Sequence, residues 1–159
     1  MPRKKTKALV REVAPDRMYN STQVQKVINR VMLNGKKQIA ERLVYTGMQK
    51  AADRLKVENP LDVFEQAMKN IQPHMETRSR RVGGANYQIP FEVKGQRQQH
   101  LTIMWFTAAA RARKGMSMAD RIAQELQDAY NNQGAAVKKR EDVHKMADAN
   151  RAFAHFARG

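Results

Sequence analysis

Along most of this chain apolar residues recur every three or four positions, and in one central stretch the period drops to two. That switch constrains the fold more than any other feature, because it demands helices flanking a single short β element. Asn20 and Ser21 are good N-cap residues, and Val24, Val27, Ile28, Val31 and Met32 follow at helical spacing until Asn34-Gly35. A second helix opens near Lys36 and carries Ala40, Leu43, Val44, Met48, Ala51, Ala52 and Leu55 on one stripe. Asn59-Pro60 reads as a cap with proline at the first helical position, and Phe64, Ala67, Met68 and Ile71 run on until Pro73.

From about 74 to 93 the alternation of Tyr87, Ile89, Phe91 and Val93 predicts a β-hairpin, with Gly83-Gly84 supplying the positive-φ turn. Two strands alone are marginal in water, so this hairpin must lean on helices or on a partner. Helical spacing returns with Leu101, Met104, Trp105, Ala108 and Ala112. Ser117 with Asp120 resembles a capping box ahead of Ala119, Ile122, Ala123, Leu126, Ala129 and Tyr130. A more polar last helix spans roughly Ala135 to Asn150. The expected fold is mainly α: a single domain over 15–156 with about six helices and one protruding basic hairpin. A flexible basic arm precedes it at 1–14, and a short tail follows at 157–159.

Charge then narrows the partners. Lys and Arg number 30 against 15 Asp and Glu, a net charge of +15. Such self-repulsion points to a polyanionic partner. With 42% hydrophobic residues a core is available, so this is no disordered basic tail. The cations are segregated. Residues 1–11 carry Arg3, Lys4, Lys5, Lys7 and Arg11 and no acid. Residues 17–40 hold five bases and no acid, and residues 77–119 hold eight bases and one acid. Lys138, Lys139 and Arg140 sit in the first turns of the last helix, where they oppose its dipole, so another demand must hold them there.

The sequence offers no catalytic motif. The absence of cysteine removes disulfides, thiolate zinc sites and cysteine nucleophiles together. His74, His100, His144 and His155 are scattered outside any paired metal spacing, and phosphate-loop and dinucleotide fingerprints are missing, so neither a metal nor a cofactor is expected. His144 shares a helical face with Glu141 and Asp148, a pattern that reads as a surface ion pair before a catalytic one. Met32, Met48, Met68, Met104 and Met146 are expected as core filler. Of the adjacent Trp105 and Phe106, one should face the core and the other sideways, with Phe106 expected under the hairpin. Tyr87, beside the arginine-bearing strand, is divided between core packing and a nucleic-acid contact. The longest apolar stretch, Leu101 to Ala110, is half of what a membrane span needs. Two function classes stay open on these grounds: an RNA-scaffold protein that fits a folded RNA by shape, and an architectural protein that bends duplex DNA with a basic hairpin.

A resemblance adds to this reading. The run Arg78-Ser79-Arg80-Arg81-Val82-Gly83-Gly84-Ala85-Asn86-Tyr87-Gln88-Ile89-Pro90 is preceded by Asn34-Gly35-Lys36-Lys37. It is followed by the segment from Gly134 to Met146 and by the closing Ala149-Asn150-Arg151-Ala152-Phe153-Ala154-His155-Phe156. Together these runs resemble the bacterial small-subunit ribosomal protein seven family over about Pro15 to Phe156. The resemblance implies a helical domain with a protruding hairpin, placed in the head of the small subunit. There it would bind the 3′ major domain of the ribosomal RNA and nucleate head assembly, close to the exit-site tRNA and the messenger path. Carried onto this chain, rRNA contacts fall on Arg3, Lys4, Lys5, Lys7, Lys36, Lys37, Arg78, Arg80, Arg81, Arg111, Arg113 and Lys114. The tRNA-proximal positions are Val82, Gly83, Gly84, Ala85, Lys138, Lys139 and Arg140. Ribosomal proteins nine and eleven are the implied neighbours, with thirteen and nineteen after them. The chain departs from the family pattern in the sparsely basic Lys94-Gly95-Gln96-Arg97-Gln98-Gln99 and in its ending Phe156-Ala157-Arg158-Gly159. A chain opening without a transit-peptide pattern favours a cytoplasmic ribosome, although an organelle-encoded copy would lack one too.

Overall fold

The computed structural model describes residues 12–158. Six α-helices and one antiparallel hairpin follow in the order α1 (Thr22–Val31), α2 (Lys37–Leu55), α3 (Pro60–Ile71), β1 (Met75–Val82), β2 (Ala85–Glu92), α4 (Gly95–Ala112), α5 (Met118–Tyr130) and α6 (Gly134–Ala149). A 3-10 helix, Arg151–Arg158, closes the described chain.

Local chemistry sets most of these boundaries. The Ser21 hydroxyl accepts the Val24 amide, Asn59 Oδ1 accepts Leu61 N–H at 3.1 Å ahead of Pro60, and Ser117 Oγ accepts Asp120 N–H at 3.2 Å. Asn34 and Gly35, at φ 52° and 73°, turn the chain between α1 and α2. The entry to α1 is fixed by a residue that no periodicity marks. The buried carboxylate of Asp16 accepts the amides of Met18, Tyr19 and Ser21 at 3.0, 2.8 and 2.8 Å, and the Tyr45 hydroxyl at 3.1 Å. Burial alone would raise its pKa, but these four donors outweigh burial and hold it below the ordinary value. The same bond, added to burial, pushes the Tyr45 phenol up to about 12.

Helix α4 starts six residues before Leu101, where periodicity begins. Gln96, Arg97, Gln98, Gln99 and His100 form an opening stretch without an apolar stripe. In the core, α5 packs against α2 so closely that a Cβ on Gly47 would stand 2.7 Å from Ile122 Cγ2. Helices α1, α3 and α4, with Ala136 and Val137 of α6, complete the cluster. Trp105 and Phe106 are both buried, so the expectation that one turns sideways is corrected. Met48 and Met68 are core residues, and Met32 and Met104 are packed against the core. Met146 is not core filler: it is 47% exposed, and its sulfur accepts the Thr77 hydroxyl at 3.2 Å.

The hairpin pairs Met75 with Glu92 through Val82 with Ala85, and Gly83 and Gly84 turn it at φ 58° and 90°. Its backbone approaches only α6 and the 3-10 helix among the described elements, so it projects beyond the bundle.

Candidate nucleic-acid interface

The structure separates the cations into those balanced inside the fold and those presented to solvent. Arg113 and Arg140 belong to the first group. Arg113 Nε and Nη2 both donate to Glu125 Oε2, at 3.0 and 2.7 Å, and Nη2 also reaches Asp128 at 2.5 Å. Arg140 donates to the carbonyl of Asn70 on α3 and lies 3.6 Å from Glu141. Each has a side chain only 22% exposed and is held by these partners within the fold.

Lys36, Lys37, Arg111 and Lys114 are exposed. Exposed Lys37 lies 3.7 Å from half-buried Glu41, an i,i+4 pair of small energetic weight. Lys36 and Arg111 share a hollow of about 550 Å³ with Arg121, over an apolar floor that includes Leu33, Ile39 and Met118. No acid lines it. A second hollow, of about 820 Å³, lies between α1, α4 and the segment before α1, and is lined by Lys26, Arg30 and His100 with Glu12 as its one acid. The two are tied together where Arg111 Nη2 donates to the Arg30 carbonyl at 2.9 Å. Reading individual site residues from sequence missed Lys26, Arg30, His100 and Arg121. The acid-free run across residues 17–40 was the signal for the first two, whereas His100 and Arg121 join only through the packing of α4 and α5.

On the hairpin, Arg78 and Arg80 alternate onto one face, opposite Ile89 and Tyr87, and Arg81 lies on the other, opposite Asn86. Arg78 donates through Nε at 2.6 Å to Glu76 and lies 5.2 Å from the Phe91 ring centre. Arg97 reaches the other oxygen of the same carboxylate at 2.9 Å. Burial would raise the Glu76 pKa, but hydrogen bonds from Arg97 and Arg78 and their charges hold it below the ordinary value. The Arg78 side chain is still 57% exposed, so it keeps a face toward solvent while anchoring the hairpin's root. Arg80 Nη1 donates to the Phe156 carbonyl at 2.9 Å, and Arg81 is exposed.

At the tip, Val82 is half-buried and Gly83, Gly84 and Ala85 are exposed, as are Lys138 and Lys139. The structure does not bring the tip and these lysines together. Contacts climb from His74–His144 to Thr77–Met146 and then Arg80–Phe156, so the strand rises toward the C-terminal end of α6. Lys138 lies eight residues before Met146, roughly 12 Å back along the helix axis. Arg3, Lys4, Lys5 and Lys7 lie outside the described residues.

His144 is engaged at the root of the hairpin. Its Nε2 accepts the His74 amide at 3.1 Å, and the two rings stack with centres 6.1 Å apart. Among the described residues there is no group of three or more His, Asp or Glu that would hold a metal. No helix of the described chain is long and apolar enough to cross a membrane.

A helical body with a projecting arginine-bearing hairpin and two cation-lined hollows defines a structural nucleic-acid-binding protein. A sequence model of the family ribosomal protein S7p/S5e matches residues 2–151, nearly the whole chain. Small ribosomal subunit protein uS7 of Chloroflexus aurantiacus is 53% identical over 148 residues, covering 93% of this chain and 94% of that protein. The uS7 of Pelagibacter ubique is 53% identical over 156 residues (98% and 99%), and that of Lactococcus lactis 55% over 153 residues (96% and 98%). The chain belongs to the ribosomal protein S7p/S5e family. It is a structural, RNA-binding, non-enzymatic constituent of the small ribosomal subunit, and the architectural DNA-bending alternative is set aside.

Proposed function

We propose that this chain anchors the 3′ major domain of small-subunit ribosomal RNA and organises the subunit head, in a cytoplasmic ribosome, with its hairpin toward the exit-site tRNA and the messenger path. The observation that carries the reading is the linked pair of hollows on α1, α2, α4 and α5. They gather Lys26, Arg30, Lys36, Arg111 and Arg121 on neighbouring surfaces and admit one carboxylate. Phosphates from more than one RNA helix would be neutralised there at once, with release of their counterions. Phosphate contacts position a protein without reading bases, which suits recognition of a folded RNA by shape. Ribosomal proteins nine and eleven are the neighbours this placement favours, with thirteen and nineteen as further candidates.

The chain has no cysteine, so a single introduced thiol is unique. Iron–EDTA tethered at Lys36→Cys, Gly84→Cys or Lys138→Cys in reconstituted small subunits would report neighbouring RNA by strand cleavage. Cleavage of 3′-domain rRNA from position 36 and of bound tRNA or messenger from position 84 supports the reading. Cleavage from position 36 confined to another rRNA domain would refute it.

A further inference from the structure

We propose that Tyr87, Phe153, His155 and Phe156 form a stacking site for unpaired bases of single-stranded RNA, built jointly by the hairpin and the C-terminal 3-10 helix. The proposal rests on the RNA-binding reading above and deepens it. The Tyr87 ring lies 4.9 Å from Phe153 and 5.8 Å from Phe156, centre to centre. Phe153 and Phe156 are stacked at 6.5 Å with their planes 20° apart, and His155 extends the series at 4.0 Å from Phe156. Tyr87, Phe153 and Phe156 are half-buried and His155 is exposed, so the rings brace one another while keeping area toward solvent.

Position and charge indicate the ligand. Tyr87 is the cross-strand partner of Arg80, and Arg80 Nη1 donates to the Phe156 carbonyl, which pins the closing helix beside the arginine-bearing strand. Exposed Arg81 and Arg151 stand on the two segments that supply the rings. No Asp or Glu occurs from Thr77 to Phe91 or after Asp148. Rings flanked by cations and free of acids match a strand that offers both π-faces and phosphates. Every base has such a face, so recognition would tolerate any sequence, whereas bases inside a duplex are already stacked and cannot reach the rings. An acidic peptide would satisfy the cations but leave the ring series without a role.

The test is anisotropy of a labelled short oligouridylate over a salt series, using the full chain. In Tyr87→Leu/Phe153→Leu/Phe156→Leu, leucines retain the apolar packing and remove the π-faces. We expect affinity to fall about tenfold or more at every salt concentration, with an unchanged salt slope, since stacking releases no counterions. Binding to the folded 3′-domain fragment should stay as in the parent, so failure of this site and failure of the rRNA reading give different results. Phe153→Tyr/Phe156→Tyr, which keeps stacking surfaces, should bind the oligonucleotide like the parent and guards against loss of fold. Unchanged oligouridylate affinity in the triple-leucine chain would overturn the proposal. So would increased affinity, which would mean that the closing helix covers the RNA surface instead of forming it.

Discussion

Arg113 grips Glu125 with two nitrogens on one carboxylate oxygen, at 3.0 and 2.7 Å, on a side chain that is fully buried. The other oxygen, Oε1, accepts the amide of Ala136 at 3.0 Å, in the first turn of α6. One carboxylate thus joins the exit of α4 to the start of α6, and supplies the negative charge that the first turn of α6 lacks. This resolves why Lys138, Lys139 and Arg140 are tolerated there.

Arg113→Ala should therefore act on stability. Removing one partner leaves a charge buried without its counterion, which costs roughly 3–5 kcal/mol. Urea unfolding should show a large drop in midpoint, while the salt slope of RNA binding below the transition stays that of the parent. Lys36→Ala/Arg111→Ala should do the reverse, with a shallower slope and an unfolding free energy changed by about 0.5 kcal/mol or less.

Gly47→Ala tests the α2–α5 contact. The added methyl would meet Ile122 Cγ2 at 2.7 Å, Ile122 Cβ at 2.9 Å and the Ala119 carbonyl at 3.0 Å. Overpacking of this kind costs about 1–3 kcal/mol, and the backbone carbonyl cannot rotate away as a side chain would. Thermal unfolding should report that loss, although alanine is the better helix former.

The root of the hairpin should be sensitive to mild acid. Burial, and after it the charges of Arg140 and His74, lower the His144 pKa below 6.5, with Asp148 opposing them. A histidine depressed in the folded state binds its proton more readily when unfolded. Its full stability is present above the unfolded value of 6.5 and declines as pH falls below that value toward the folded pKa. Lys69, Glu141 and Lys145 line the same cleft, and Gln98 on α4 approaches His74. Protonation at Nε2 would also remove the acceptor for the His74 amide. Relative to intrinsic exchange, which itself slows as pH falls, protection of β1 amides should drop between pH 7 and 5.5, and His144→Gln should abolish that drop.

What could be read in advance was local. Ser21, Asn59-Pro60, Pro73, Gly83-Gly84 and Ser117 act within three or four residues of themselves, so their consequences follow from the chain alone. The opening of α4 was hidden because its first turns carry no apolar stripe. The closing 3-10 helix was hidden because it is held by Tyr87 and Arg80, more than sixty residues earlier. Glu125 did leave a trace, since it lies three residues after Ile122 and four before Ala129, on the apolar stripe of α5. A carboxylate there must have a partner. Which arginine would supply it depended on how α4 and α5 pack.

Selective recognition of a folded ribosomal RNA is the central claim, and competition binding over a salt series tests it most directly. Labelled 3′-domain rRNA would be challenged with duplex DNA and with an unrelated structured RNA. The account predicts a strong preference for the ribosomal fragment that persists near physiological salt. It also predicts a shallower slope when Arg78, Arg80 and Arg81 are replaced together by alanine. Equal binding to all three nucleic acids, collapsing as salt rises, would contradict it.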